Sequence, residues 1–105
     1  MKEITATRLK EMIDSGKEVQ IIDIREEHEL DYCSIDGEHI PMDEVLSQTE
    51  RIRKDIPVII HCRAGERAAA VVHTLTERFG FENVSNLKGG IIAYAEEVDN
   101  SLEKY

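Results

Sequence analysis

Apolar residues recur along the chain in two alternating rhythms. Leu9, Met12 and Ile13 fall at helical spacing behind Thr5, which can cap a helix N-terminus, and Ser15-Gly16 closes that run. Residues 19–24 form instead a compact stretch rich in β-branched side chains, which predicts a buried strand. A short acidic helix is expected over residues 26–32 and an irregular connection over residues 33–41. A further helix is expected over residues 43–54, with Val45, Leu46 and Ile52 on its apolar side. Residues 57–61, Pro-Val-Ile-Ile-His, are apolar on both faces, as a central parallel strand should be. After a polar loop, a helix starting near Arg67 carries Val71 or Val72, Leu75 and Phe79, with Ala68, Ala69 and Ala70 permitting close packing. Gly80 supplies a left-handed stop and Phe81 its apolar contact. Residues 84–87 predict a last strand, Gly89-Gly90 a tight turn and residues 91–98 a final helix.

Strands and helical segments alternate from end to end with no linker, repeat or low-complexity stretch. That pattern predicts one α/β domain over residues 1–105, with an open, mostly parallel five-stranded sheet and helices on both faces.

Charge narrows the function. Thirteen basic residues against twenty-two acidic ones leave a net charge of −9, which argues against nucleic acid or an anionic membrane as partner. A hydrophobic fraction of 41% argues against disorder. The N-terminus lacks the apolar core of a signal peptide, so a cytoplasmic location with reduced thiols is expected. Cys33 and Cys62 are too few for a disulfide scaffold. Together with His28, His39, His61 and His73 they show no metal-ligand spacing, so neither metal nor cofactor is expected. The acidic cluster Glu26, Glu27, Glu29 and Asp31 reads as a solvated helix face.

Candidate chemistry concentrates at Cys62, the first residue off the carboxyl end of the most buried-looking strand and followed by Arg63-Ala64-Gly65-Glu66-Arg67. In open α/β sheets that is where ligands sit. The next helix presents unpaired N–H groups and the positive end of its dipole. Ala64 and Gly65 let the loop curl so that successive amides point at one spot, and Arg63 and Arg67 add positive charge beside the sulfur. Each effect favours thiolate over thiol, which makes Cys62 a candidate nucleophile rather than an inert core cysteine. His61 is read as a strand residue able to tune the loop.

The segment 62–67, Cys-Arg-Ala-Gly-Glu-Arg, between strand and helix resembles the active-site loop of the rhodanese (sulfurtransferase) domain. Ile22-Asp23-Ile24-Arg25-Glu26, residues 35–41 and Asn86-Leu87-Lys88-Gly89-Gly90-Ile91 resemble further motifs of that family, in the expected order. The ending from Ile91 to Tyr105 is similar to rhodanese domains attached to bacterial adenylyltransferases that charge sulfur-carrier proteins. The resemblance implies a single rhodanese-like domain and ping-pong sulfur transfer through a Cys62 persulfide. The implied donor is a small anion such as thiosulfate or a persulfide protein, and the acceptor is cyanide, a thiol or a sulfur carrier. It further implies that Arg67 braces the loop, that Arg63 faces the donor's charge, and that Asp23 and Arg25 support the site from its rim.

Two rivals remain. Tyrosine and Cdc25-type phosphatases share the strand–loop–helix design but use Cys-x5-Arg, whereas Cys62 to Arg67 is Cys-x4-Arg, a cradle one residue shorter. A non-catalytic docking or redox-sensing module would need a missing nucleophile or a broken loop, and neither is seen. Cys33 stands where the family commonly has Gly, and reads as a half-buried small side chain ahead of a resolving thiol. The connection after it is a residue shorter than the common pattern. Tyr94 is expected to pack into the core.

Overall fold

The computed structural model describes residues 2–105. Its elements run β1 (Glu3–Ile4), α1 (Ala6–Asp14), β2 (Gln20–Asp23), β3 (Glu38–His39), α2 (Met42–Val45), β4 (Val58–His61), α3 (Glu66–Phe79), β5 (Val84–Leu87) and α4 (Gly90–Glu97). Two 3-10 turns, Glu27–Asp31 and Thr49–Arg51, complete the list. The strands form one five-stranded sheet in the order β1-β5-β4-β2-β3, and every pairing is parallel.

β4 lies between β5 and β2, and all four of its residues are buried. Because side chains alternate across a strand, Ile59 joins Ala6, Leu9, Leu87 and Tyr94 on one face. Val58 and Ile60 join Ala68, Val71, Val72 and Leu75 on the other. α1 and α4 thus cover one side of the sheet and α3 the other, as an all-parallel sheet requires. Cys62 continues the parity of Val58 and Ile60 and falls on the α3 side.

The N-terminal signals act as expected: the Thr5 hydroxyl accepts from the Arg8 amide at 3.1 Å. At the end of α3, Gly80 is left-handed with φ 73°, and the Phe81 amide donates to the Leu75 carbonyl at 3.1 Å. Ile13, expected on the buried face of α1, is 40% exposed.

The expected helix over residues 43–54 is instead α2, four residues long, followed by the turn Thr49–Arg51. Ser47 ends it, its hydroxyl donating back to the Glu44 carbonyl at 2.8 Å in competition with continued helix. Val45 and Ile52 are buried as expected, but Leu46 is exposed. The expected irregular connection contains β3, whose Glu38 and His39 pair with Ile22 and Asp23 of β2. β1 has no counterpart in the expected elements; two residues are too few to show a periodicity.

Candidate functional site

β4 delivers Cys62 to the carboxyl edge of the sheet, and α3 begins four residues later. Between them Gly65 adopts φ 107°, a region costly to any residue with a Cβ. That turn brings the Gly65 amide to 3.1 Å and the Ala68 amide to 3.4 Å from Cys62 Sγ, both donating to the sulfur. The other amides of the first turn of α3 have no intrahelical acceptor, and the helix dipole is positive there. Cys62, Arg63, Ala64, Glu66 and Arg67 line a depression of about 220 Å³. The thiol is nearly buried, at 1% exposure for the residue.

The loop's amides face the sulfur because its carbonyls are occupied elsewhere. Ile91 donates to the Cys62 carbonyl at 3.0 Å and Ile92 to the Arg63 carbonyl at 3.1 Å. The start of α4 therefore grips the back of the loop. Gly90 makes this approach feasible: a Cβ there would lie 2.3 Å from the Arg63 carbonyl oxygen. Asn86, at the end of β5, donates to the Gly65 carbonyl at 3.3 Å from a buried position. Its value to the loop has no sequence signal beyond its place in the Asn-Leu-x-Gly-Gly stretch.

The arginines divide by commitment. Arg67 holds Glu29 with two contacts of 2.7 and 3.0 Å, which ties the first turn of α3 to the turn Glu27–Asp31. Glu29 is only 6% exposed, which corrects the reading of the acidic cluster as a uniformly solvated face. The Arg67 guanidinium, followed by the Tyr105 hydroxyl and the Glu26 amide, outweighs burial and lowers the Glu29 carboxyl to about 2. The Glu29 carboxylate in turn raises Arg67.

Arg25 and Asp23 lie within the protein rather than on the pocket rim, at 0% and 1% exposure. Burial of that charge is tolerated because every Arg25 nitrogen has an acceptor. Nε and Nη2 meet the Asp23 carboxylate at 2.8 to 3.1 Å, Nη2 meets the Cys33 carbonyl at 2.8 Å, and Nη1 meets the Tyr105 hydroxyl at 3.0 Å. Burial alone would lift the Asp23 carboxyl, but the Arg25 contacts hold it below its ordinary value.

His61 is fully buried, and burial lowers its imidazole, favouring the neutral ring. Its Nδ1 is 3.5 Å from the Cys62 carbonyl, and Nε2 is 3.8 Å from Asp23. Cys33 is a half-buried free thiol whose carbonyl serves Arg25. Among the described residues no group of three or more His, Cys, Asp or Glu is placed to hold a metal ion. Tyr94 packs into the core beside Leu9 and Ile59.

Comparison with known proteins is decisive for the family. The family model described as Rhodanese-like domain matches residues 5–97. The chain is a rhodanese-like domain. YtwF of Bacillus subtilis, provisionally named a sulfurtransferase, is 36% identical over 98 residues, covering 92% of this chain and 93% of that protein. MoeZ of Mycobacterium tuberculosis, provisionally named an adenylyltransferase/sulfurtransferase, is 29% identical over 97% of this chain. The chain spans 26% of MoeZ's length. Among solved structures, a rhodanese-like domain protein of Staphylococcus aureus superposes with a TM-score of 0.82 at 33% identity, covering 100% of this chain and 99% of the other. A rhodanese-related protein of Thermoplasma volcanium gives a TM-score of 0.82 at 30% identity, covering 93% of this chain and 94% of the other.

A wider groove of about 630 Å³ adjoins the cradle of this rhodanese-like domain at Arg67, and Glu26, Glu27, Asp43 and Glu44 also line it. Four acidic side chains thus line the groove next to the cradle, whereas the cradle's own charged lining is Arg63, Arg67 and Glu66.

Proposed function

We propose that this protein is a sulfurtransferase in which Cys62 carries sulfane sulfur as a persulfide. One observation carries the reading: two backbone amides of a left-handed loop donate to Cys62 Sγ at the N-terminus of α3. Fixed N–H dipoles at that point stabilise a thiolate and, after transfer, the terminal sulfur anion of the persulfide.

The steps balance as two displacements. The Cys62 thiolate attacks the outer sulfur of thiosulfate, the Cys–S bond forms, and the sulfur–sulfur bond of the donor breaks with its electron pair leaving on sulfite. A persulfide donor instead releases its thiolate. In the second step cyanide or an acceptor thiolate attacks the outer sulfur of the Cys62 persulfide. Thiocyanate or a new persulfide departs and the Cys62 thiolate returns. The protein supplies position and a prepaid electrostatic field, with no redox partner needed.

The small cradle, five lining residues around a nearly buried sulfur, suits transfer of one atom delivered end-on. A protein donor would have to extend a persulfide into it, and a protein acceptor a slender thiol, the donor's thiolate or the acceptor's new persulfide leaving by the same route.

The test is steady-state thiocyanate production from thiosulfate and cyanide at neutral pH. Parallel double-reciprocal lines are expected, as ping-pong transfer requires. Intersecting lines would mean that both substrates must bind together, against a covalent carrier.

A further inference from the structure

Three arginines meet around Tyr105 and its partner Glu29, and two of them are saturated. Arg25 spends its donors on Asp23, Tyr105 and main-chain carbonyls, and Arg67 spends its fork on Glu29. Arg63 makes no side-chain hydrogen bond or ion pair among the described residues. Its guanidinium carbon lies 4.8 Å from the centroid of the Tyr105 ring. An aromatic face attracts a guanidinium without using any of its N–H donors, so a cation held this way keeps its whole fork for an incoming anion.

Tyr105 is itself fixed from three directions. Its ring stacks on Tyr32 with centroids 4.6 Å apart and planes 6° from parallel. Its hydroxyl donates to Glu29 Oε2 at 2.5 Å and accepts from Arg25 Nη1 at 3.0 Å. The residue therefore links the buried Asp23–Arg25 pair and the Arg67 brace to the one uncommitted arginine of the cradle.

We propose that Tyr105 is a positioning residue that holds Arg63 beside Cys62, with its hydrogen-bond donors free, to receive the charged end of a small anionic sulfur donor. This deepens the sulfurtransferase reading and rests on it for its biological meaning. Tyr105 acts through Arg63 and does not touch the reacting sulfur. The recognised chemistry is an anionic oxygen group, a sulfonate or carboxylate, attached to the atom that Cys62 attacks. A neutral reagent of the same size gains nothing from it.

The experiment needs no sulfur transfer. Cys62 is alkylated with iodoacetate and with iodoacetamide under identical conditions, and labelling is followed by intact mass with site assignment by peptide mapping. Both reagents meet the same thiolate, so changes in its reactivity cancel in the ratio of the two rates, and the ratio reports attraction of a carboxylate. Tyr105→Leu, which keeps apolar bulk but removes the aromatic face, is expected to lower the iodoacetate-to-iodoacetamide ratio about threefold, the scale of an exposed cation–π contact. Tyr105→Phe keeps the face and is expected to stay closer to the unsubstituted protein than to Tyr105→Leu. Arg63→Ala should lower the ratio at least as far, and adding Tyr105→Leu to it should lower it no further. A ratio unmoved by Tyr105→Leu overturns the proposal, as does Tyr105→Phe falling with Tyr105→Leu, or losses that multiply in the double variant. A protein that forms no persulfide but shows this pattern would sink the sulfurtransferase reading and leave the Tyr105–Arg63 coupling standing.

Discussion

Gly90→Ala is expected to destabilise the protein by about 3 kcal/mol or more, combining left-handed strain with overpacking against a backbone. The reason is the site's own architecture. Gly90 has φ 62°, and an added Cβ would meet the Arg63 carbonyl oxygen at 2.3 Å, its carbon at 2.5 Å and the Cys62 carbonyl oxygen at 2.7 Å. Those atoms belong to main chain gripped by the Ile91 and Ile92 amides, so no side chain can swing aside. Relief would require α4 to withdraw from the loop, which would leave the two carbonyls unpaired and the cradle amides without their orientation. A urea titration of the variant should show a lower midpoint, and any folded fraction should label more slowly at Cys62. A midpoint equal to that of the unsubstituted protein would mean that α4 does not pack against the loop this closely.

Glu29→Gln should cost about 2 kcal/mol at neutral pH, less than a fully buried broken pair because Arg67 is partly solvated. Glu29 gathers Arg67, Tyr105 and the Glu26 amide, and glutamine cannot satisfy them with a charge. The effect has a pH signature. The folded carboxyl sits near 2, below the ordinary 4.5 of an unfolded chain, with the Arg67 contact as the largest cause. The native state therefore holds the proton less tightly than the unfolded one. The stabilisation is complete above 4.5 and fades as pH falls toward 2. The gap in urea midpoint between the two proteins should be widest at pH 7 and should close through that acid range. A gap independent of pH would assign the loss to packing instead of charge.

The cradle was legible because its signals are local. A β-branched strand ending in Cys62, a glycine three residues on and a helix start all lie within one short stretch, and local physics dictates their arrangement. The Gly80-Phe81 stop and the two faces of β4 were legible for the same reason. What escaped depends on distant partners. Glu29 looked like one more acid on a wet face, and only the fold brings Arg67, 38 residues away in sequence, to neutralise it and allow its burial. The family resemblance puts Arg25 at the rim; Asp23, Tyr105 and the carbonyls of Cys33 and Glu29, partners that no local pattern announces, make its burial possible. Tyr105 gave no pattern at all, being a lone aromatic in a polar stretch. β1 and β3 are two residues each and exist through their neighbours β5 and β2, not through any periodicity of their own. The helix expected over residues 43–54 failed where Ser47 found a local acceptor in the Glu44 carbonyl, a competition that apolar spacing does not register.

Uptake of sulfur by Cys62 is what separates a persulfide carrier from an inert thiol. Incubating the reduced protein with thiosulfate, removing excess reagent and recording the intact mass measures this without an acceptor. The prediction is a gain of one sulfur atom per chain, mapped to the Cys62 peptide, lost on adding cyanide with release of thiocyanate. The gain should be absent from Cys62→Ala and retained by Cys33→Ala. An unchanged mass in a folded protein, or an adduct that persists in Cys62→Ala, would contradict it.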